Sequence, residues 1–264
     1  MIRLLEIEWR KNYNYVAFWL ILGLHYFFII IFLSNINNFA GSMNISTDQY
    51  RNIDLGIVPM FRFPDIWQNI AYLAGFFKIL LGIFVVINVT NEYQFNTVRM
   101  NISSGLTRLE FILAKVCGIL LISLLSVLIL LCLGLSLGLS HQTSALSASI
   151  FNGSDFLFGY FIEVLFYMVM ALFIGVWLKR TGISIVILLI YPLLIEPLLR
   201  WQTPDSIDRF FPVKSMDQIN VFPFQKYFGV AVQSHIPYDS TVIASCWIFI
   251  FIFSSYLLLK RSDL

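Results

Sequence analysis

Residues 91–115 read NEYQFNTVRMNISSGLTRLEFILAK, and this polar stretch separates two strongly apolar runs. The run before it, residues 79–89, reads ILLGIFVVINV, and the run after it, residues 116–135, reads VCGILLISLLSVLILLCLGL. Each run belongs to an apolar block long enough to cross a bilayer, whereas the stretch between them carries charges of both signs. The chain is therefore expected to leave the membrane here and to enter it again.

Apolar blocks of this kind dominate the 264 residues of the chain. Apolar residues make up 59% of the sequence and charged residues 12%, whereas soluble domains contain about 45–50% and about 25%. A helix needs about 20 apolar residues to cross a bilayer, because it rises about 1.5 Å per residue through about 30 Å of hydrocarbon. The composition therefore indicates an integral membrane protein.

Six blocks meet this length, and they are continuous rather than alternating, which favours helices over barrel strands. We predict an all-α integral membrane fold with six transmembrane helices in one domain of residues 1–264. The predicted spans are about 16–33, 66–89, 116–139, 156–178, 183–199 and 242–259.

Basic residues are distributed unequally between the two sides of this six-span arrangement. Ten lysines and arginines flank the spans on the side that holds both termini, and six lie in the much longer loops on the other side. Cytoplasmic connections carry the excess of Lys and Arg in membrane proteins. We therefore predict that both termini are cytoplasmic and that the long loop 200–241 is extracellular.

The N-terminal segment has the pattern of an amphipathic helix that lies on the membrane surface. Ile2, Leu5, Trp9 and Tyr13 recur at helical spacing. Tryptophan on an apolar stripe is typical of the membrane–water interface. Residues 1–13 therefore predict an interfacial amphipathic helix that precedes the first span.

The polar stretch 91–115 contains its own helix signals. Asn91 is followed three residues later by Gln94, a pairing that is typical of a helix start. The Ser-Ser-Gly sequence at residues 103–105 predicts a break. Thr107 is followed three residues later by Glu110, which predicts a capping box. We therefore expect a short amphipathic helix, a tight turn and then the third span, in which Lys115 extends toward the lipid headgroups.

This stretch resembles a known family, the permeases of type-2 ABC transporters, which are the membrane subunits of many bacterial exporters. In that family the connection between spans two and three contains, in this order, a Glu, a Gly-Thr pair, an apolar stretch, a Gly or Pro followed by a small residue, a Ser/Thr-Arg pair and a later Lys. The matching residues are Glu92, Thr97, Gly105, Thr107, Arg108 and Lys115. Asn96 replaces the usual glycine before the threonine. The resemblance extends to most of the chain, because the family also has six spans with cytoplasmic termini.

The resemblance implies that segment 91–108 contains a coupling helix, which rests in a cleft of an ABC-type ATP-binding subunit and transmits its closure to the spans. The residues expected at this ATPase contact are Glu92, Phe95, Thr97, Arg99, Gly105, Thr107 and Arg108. ATP and Mg²⁺ then bind to the partner subunit, and no cofactor is expected on this chain.

The same resemblance implies a second permease, identical or related, that pairs with this chain. It also implies short extracellular helices between spans five and six. The expected location is the bacterial cytoplasmic (inner) membrane as a multi-pass protein, with membrane lipids and no nucleic acid among its partners.

Three charged residues interrupt the apolar blocks, namely Lys78 in span two, Glu163 in span four and Glu196 in span five. Charges within a bilayer are costly, so they are usually paired or functional. Counting from the span ends places Lys78 about 18 Å, Glu163 about 10 Å and Glu196 about 5 Å below the outer surface. We therefore expect Lys78 to pair with Glu163 or Glu196, as a structural ion pair or as a gate in the substrate path.

Span three contains a GxxxG pattern at Gly134 and Gly138. Small residues at this spacing let two helices approach closely, either within one chain or across a dimer. Other motifs do not occur in the sequence: there is no GxxxxGK[ST] phosphate loop, no HExxH and no GxSxG. A Walker-type ATP site on this chain is thereby excluded.

These features favour the permease subunit of an ATP-driven ABC exporter, which moves a substrate across or out of the membrane. Two further functions stay open at this point. One is a membrane-embedded enzyme that modifies lipid, with Glu163, Glu196 and His25 as acid–base groups. The other is a non-transporting anchor that recruits a complex to the membrane.

Overall fold

The computed structural model describes residues 2–42, 60–103, 105–141, 150–228 and 232–261. Within these ranges the chain forms helices and turns and no β-strand, as the sequence predicts. The α-helices are α1 (Ile2–Tyr13), α2 (Val16–Ser42), α3 (Ile66–Gly75), α4 (Lys78–Gln94), α5 (Thr97–Ser103), α6 (Arg108–Ser140), α7 (Asp155–Leu178), α8 (Thr181–Ile190), α9 (Glu196–Trp201), α10 (Asp205–Asp208), α11 (Pro212–Asp217) and α12 (Tyr238–Arg261).

Five stretches of the described chain are long and apolar enough to cross a membrane. They are Val16–Asn35 within α2, the helices α6, α7 and α12, and Thr181–Trp201, which includes α8 and α9. The predicted second span is interrupted, because α3 and α4 meet at an angle of 41°. If this bent pair is one broken span, the described residues contain up to six.

The break between α3 and α4 lies at two consecutive phenylalanines. The amide of Phe77 donates to the carbonyl of Ala74 at 3.0 Å, and the carbonyl of Phe77 accepts from the amide of Leu80 at 3.1 Å. These three-residue bonds tighten the turn and change the helix direction. The Phe77 carbonyl also accepts a hydrogen bond from Nδ1 of the fully buried His25 at 3.0 Å. The sequence predicted one continuous block here, since hydropathy does not register such a turn.

Helix α7 lies at the centre of the bundle. About four fifths of its apolar window, 78%, is buried inside the protein, whereas the other four candidate spans are buried to between 17% and 28%. Helices α3, α4, α6, α8 and α12 all pack on α7. The core of the protein therefore surrounds α7, and the remaining spans expose wide apolar faces to their surroundings.

The fifth predicted span is continuous but changes its winding. Residues Tyr191–Ile195 form a π-helical turn between α8 and α9. Pro192 lies in this turn, and proline lacks the amide that an α-helix would use. The amide of Glu196 donates to the carbonyl of Tyr191, five residues earlier. At Pro192 the span therefore forms a wider turn, and the helix does not end there.

The polar stretch follows the predicted order of helix, turn and helix, with one correction. Asn91 does not begin a helix, because α4 continues to Gln94 and α5 begins at Thr97. Asn96 has a φ of +54°, a left-handed conformation that asparagine tolerates better than most residues. The capping box of Thr107 and Glu110 is present at the start of α6. The interruption thus lies five residues later than predicted.

The predicted N-terminal helix and the predicted short helices between spans five and six are both present. Residues 2–13 form α1, and the connection between α9 and α12 contains α10, α11 and a 3₁₀ segment, Pro223–Phe228. Part of that connection, residues 229–231, lies outside the described residues. The sides of the membrane on which these segments lie stay predictions from the charge distribution.

The GxxxG pattern of α6 is used within the chain. A Cβ atom added at Gly134 would lie 2.6 Å from side-chain atoms of Ile70 and Trp67, and one added at Gly138 would overlap the ring of Phe63. Both glycines therefore allow α3 and the turn before it to pack directly on the α6 backbone. Of the two arrangements that the sequence left open, this is internal packing.

Replacing either glycine by alanine should destabilise the protein by about 1–3 kcal/mol, the usual cost of overpacking a filled contact. Gly118→Ala is a matched control on the same helix, since no atom lies within 4 Å of the added Cβ. We expect lower thermal unfolding midpoints for Gly134→Ala and Gly138→Ala in detergent, followed by circular dichroism, and no loss for Gly118→Ala. Equal midpoints for all three variants would contradict the internal packing.

Candidate functional site

The connection between α4 and α6 presents two apolar side chains at its surface. Phe95 is 71% exposed and Met100 is 67% exposed, whereas Val98 is buried at 1%. Helix α5 therefore has an inner side anchored by Val98 and an outer side that carries Met100, and Phe95 precedes this helix. Gly105, with a φ of +102°, makes the following turn in a conformation that favours glycine. We refer to residues 95–105 as the elbow.

A buried group of polar side chains lies directly behind the elbow. Lys115 is 5% exposed, and its Nζ donates to Glu8 Oε2 and to Asn88 Oδ1, both at 2.8 Å, and to Glu92 Oε1. Glu92 is 1% exposed and also pairs with Lys11. We call these five residues, Lys115, Glu8, Asn88, Glu92 and Lys11, the basal cluster. It joins α1, α4 and α6 through charges that face one another. Four of its members are buried, and the side chain of Lys11 is 37% exposed.

The basal cluster contains two ammonium groups and two carboxylates, so its formal charges balance. Burial of Lys11, followed by the nearby positive charge of Lys115, lowers the pKa of Lys11 to about 7. The nearby carboxylate of Glu8 acts in the opposite direction. Because the charged form of Lys11 is disfavoured in the cluster, the contact of α1 with the bundle is expected to strengthen as the pH rises above about 7.

The residues predicted at the ATPase contact do not share one surface. Glu92 is buried in the basal cluster, so its carboxylate does not face outward. The guanidinium of Arg108 donates to the carbonyl oxygens of Leu259, at 2.8 Å, and of Lys260 at the end of α12. Thr107 is occupied by its capping box. Glu92 and Arg108 therefore connect helices of the chain itself, whereas Thr107 is exposed and caps its own helix α6.

The other predicted contact residues belong to the elbow. Phe95, Arg99 and Gly105 are exposed. Thr97 is partly buried, and its hydroxyl donates to the carbonyl oxygen of Glu92 at 3.2 Å. The elbow therefore provides most of the accessible residues of the predicted coupling segment, and the basal cluster supports it from within.

Lys115 differs from its predicted position. The sequence analysis placed its ammonium group among the lipid headgroups, whereas the structure buries it between three helices. Glu8 and Asn88 were not predicted as site residues. Asn88 lies four residues before Glu92 and therefore on the same face of α4, which was an available signal. The contribution of α1 to the cluster had no signal, since it depends on tertiary packing.

Of the three charged residues within the predicted spans, Lys78 and Glu163 form an ion pair and Glu196 caps a helix. Lys78 pairs with Glu163, and the other carboxylate oxygen of Glu163 accepts from Asn220 Nδ2 at 2.7 Å. Glu163 lies against the end of α3, because a Cβ added at Gly75 would be 2.7 Å from its Oε1. Of the two partners that the sequence allowed for Lys78, the structure selects Glu163.

Glu196 was predicted as a possible partner of Lys78, and it has a different role. Its carboxylate is fully buried and accepts from the backbone amides of Val213 at 2.9 Å and Lys214 at 2.7 Å. These amides lie in the first turn of α11, where helix amides have no partner within the helix. Glu196 therefore caps α11 and fixes the loop onto the fifth span, and it does not pair with Lys78.

The basal cluster should hold α1 on the bundle. Lys115→Met removes the cation between Glu8 and Glu92, and loss of one partner from a buried ion pair typically costs about 3–5 kcal/mol. We expect amide hydrogen exchange in α1 to accelerate more than about tenfold in this variant. Arg99→Gln, which removes an exposed charge from the elbow, is the control and should leave α1 unchanged. Equal exchange in both variants would contradict the contribution of Lys115.

The pair of Lys78 and Glu163 should behave as a buried ion pair. Glu163→Gln leaves the ammonium group of Lys78 without its counter-charge, so we expect a loss of about 3 kcal/mol in the free energy of unfolding. The double variant Lys78→Met/Glu163→Gln removes both charges and should recover most of that loss. The measurement is unfolding of the purified protein in mixed detergent micelles. Additive losses in the double variant would show that the two charges do not interact.

The chain was compared with known proteins. No model of a protein family matches it, and no significant match is found among curated proteins. Its function must therefore be inferred from the arrangement of its own residues, above all from the elbow, the basal cluster and the charged residues near the break of α3 and α4.

Proposed function

We propose that the chain is the membrane-spanning permease subunit of an ATP-driven ABC exporter. A separate ABC-type subunit binds and hydrolyses ATP with Mg²⁺, and this chain moves a substrate across or out of the bacterial cytoplasmic membrane. In this proposal α3 and α4 are the second of six spans, both termini are cytoplasmic, and the elbow is the coupling element. Residues 202–237 then lie outside the cell.

The observation that carries this proposal is the construction of the elbow. The connection between two apolar helices exposes Phe95, which follows α4, and Met100, which lies on α5, at 71% and 67%. Large exposed apolar side chains on a short, anchored connection are suited to a groove on a partner. A connection that only reversed the chain direction would need no such side chains. The elbow also coincides with the part of the sequence that resembles ABC permeases.

A coupling element must transmit force as well as bind. The Lys115–Glu92 contact joins α6 to α4 immediately behind the elbow. Arg108, at the first residue of α6, is bonded to the end of α12. A displacement of the elbow is therefore expected to move α4, α6 and α12 together, because its base is held by buried polar contacts that resist separation.

The exposed apolar faces support a second permease in the proposed assembly. The span Thr181–Trp201 has only 17% of its apolar window buried. Leu193 is 70% exposed and Leu198 is 58% exposed. Such a face meets lipid in a single chain, and it is available for a second copy or a related permease in a pair.

The lipid-modifying enzyme receives less support. Its three candidate acid–base groups are each engaged elsewhere, with Glu163 on Lys78, Glu196 on α11 and His25 on the Phe77 carbonyl. Two carboxylates held in separate contacts do not form the shared site that general acid–base chemistry requires. The simple anchor remains a rival that binding alone cannot separate from a permease, so transport must be measured too.

The first test is purification of the tagged chain from its native membranes in mild detergent, with identification of the co-purifying proteins. We expect an ABC-type ATP-binding subunit. The double variant Phe95→Ala/Met100→Ala should reduce its recovery about tenfold or more, since exposed apolar anchors of this kind typically contribute over 1 kcal/mol each. Phe253→Ala is the matched control, because Phe253 is 61% exposed on α12, far along the chain from the elbow.

In this purification, equal recovery with the elbow variant and with Phe253→Ala would contradict the coupling assignment. Absence of any nucleotide-binding protein in several detergents would contradict the exporter itself.

Reconstitution of the complex into vesicles then separates a permease from an anchor. An ATPase that binds but is not stimulated when both subunits share a vesicle would favour the anchor.

A further inference from the structure

A cavity of about 520 Å³ lies beside the break between α3 and α4. Its walls come from this break, from α7, from α9 and α11, and from the residues that follow α11. Phe76 and Phe222 line it and are 56% and 42% exposed, so the cavity is open at the surface of the bundle. Ligand sites in proteins typically have volumes of about 300–1,000 Å³, and this cavity falls within that range.

The cavity lining includes two carboxylates, those of Glu163 and Asp217. Lys78 pairs with Glu163. Asp217 makes no salt bridge within the described ranges, although the charges of Lys78 and Arg200 lie close enough to act on it. The carboxylate of Asp217 is therefore available to a further cation.

The lining also carries two cations, Arg200 and Lys214. Arg200 Nε donates to Asp208 Oδ1 at 2.7 Å, and Lys214 Nζ pairs with the other oxygen of the same carboxylate. These contacts, that of Lys214 first, lower the pKa of Asp208, which therefore stays ionised. Two cations share one carboxylate, and Arg200 and Lys214 both line the cavity. An arginine uses one of its five N–H donors in this contact, so the others can meet an anion.

Another part of the lining is apolar and aromatic. Tyr72, Phe76, Ile79 and Phe222 line it, and the rings of Tyr72 and Phe222 meet edge to face with centroids 5.5 Å apart.

The position of Glu163 on α7 indicates the depth of the cavity. Glu163 lies eight residues after the first residue of α7, which is about 12 Å along the helix axis. The cavity is therefore at the depth of one leaflet, on the side of the bundle where α10 and α11 lie.

We propose that this cavity binds a zwitterionic phospholipid, with its headgroup on the charged wall and its glycerol and first acyl carbons on the aromatic wall. The phosphate lies between Arg200 and Lys214, since a guanidinium matches phosphate geometry and a lysine adds charge. The ammonium group lies between Asp217 and Glu163. This binding needs only the chain itself and does not depend on the exporter assignment.

The depth of the cavity and its aromatic wall favour a lipid over a soluble zwitterion. A soluble molecule would use the charges alone, whereas a lipid also buries apolar surface against Phe76 and Phe222. The lining combines the carboxylate of Asp217, which makes no salt bridge within the described ranges, with two cations that share one carboxylate. This combination favours a zwitterionic headgroup over an anionic one, because an anionic headgroup would bring no partner for Asp217.

The test is a titration of the purified full chain in detergent with three probes, followed by isothermal calorimetry. The probes are dihexanoylphosphatidylethanolamine, dihexanoylphosphatidylglycerol and free phosphoethanolamine. We expect the first to bind at least about tenfold more tightly than either of the others, the factor that corresponds to about one charge-assisted contact. Asp217→Asn should lower its affinity about tenfold and leave that of the phosphatidylglycerol unchanged. Asp239→Asn, an exposed position on α12 outside the cavity lining, is the control and should bind as the unmodified chain does.

The selectivity of the unmodified chain is decisive even if a variant does not fold. Equal affinities for the two short-chain lipids would overturn the zwitterion assignment. Free phosphoethanolamine that binds as tightly as its lipid would overturn the contribution of the aromatic wall and hence the lipid. A folded Asp217→Asn protein with undiminished affinity would overturn the position of the ammonium group. None of these results bears on the ATP-binding partner, so the two proposals stand or fail separately.

Discussion

The contact of Lys115 with Glu92 is the constraint from which much of the architecture around the elbow follows. Each group is almost fully buried, and a buried charge without a partner costs several kcal/mol. The two residues therefore fix α6 against α4, and Glu8 brings α1 to the same place. Once these helices are fixed, the short helix between α4 and α6 has a rigid base and only its outer face is left for a partner.

Helix α4 is held at both ends in the same way. Its first residue, Lys78, is paired with α7, and Glu92, near its last residue, is paired with α6. The two anchors lie 14 residues apart in the sequence, about 21 Å along the helix. A helix fixed at both ends by ion pairs is expected to move as a rigid body. It is a direct physical link between the elbow and the charged cavity, and this link uses no flexible segment.

The parts that the sequence predicted are those that depend on neighbouring residues. The capping box of Thr107 and Glu110 needs only a spacing of three, and the apolar blocks need only length. Asn91 was wrongly predicted to start a helix, because burial of Glu92 makes continuation of α4 more favourable than a local cap. The partner of Lys78 could not be chosen from depth alone. That Glu196 caps α11 follows from a loop whose path no periodic pattern describes.

The π turn at Tyr191–Ile195 determines which side chain of the fifth span faces inward. An α-helical residue turns the chain by about 100°, so seven residues after the buried Leu188 a regular helix would point Ile195 toward the bundle. The wider turn accommodates one more residue, and Glu196 takes that place at 0% exposure while Ile195 is 39% exposed. The turn is equivalent to a single-residue insertion in the helix. Without it the carboxylate would face hydrocarbon, and α11 would lose the acceptor that fixes it above the cavity.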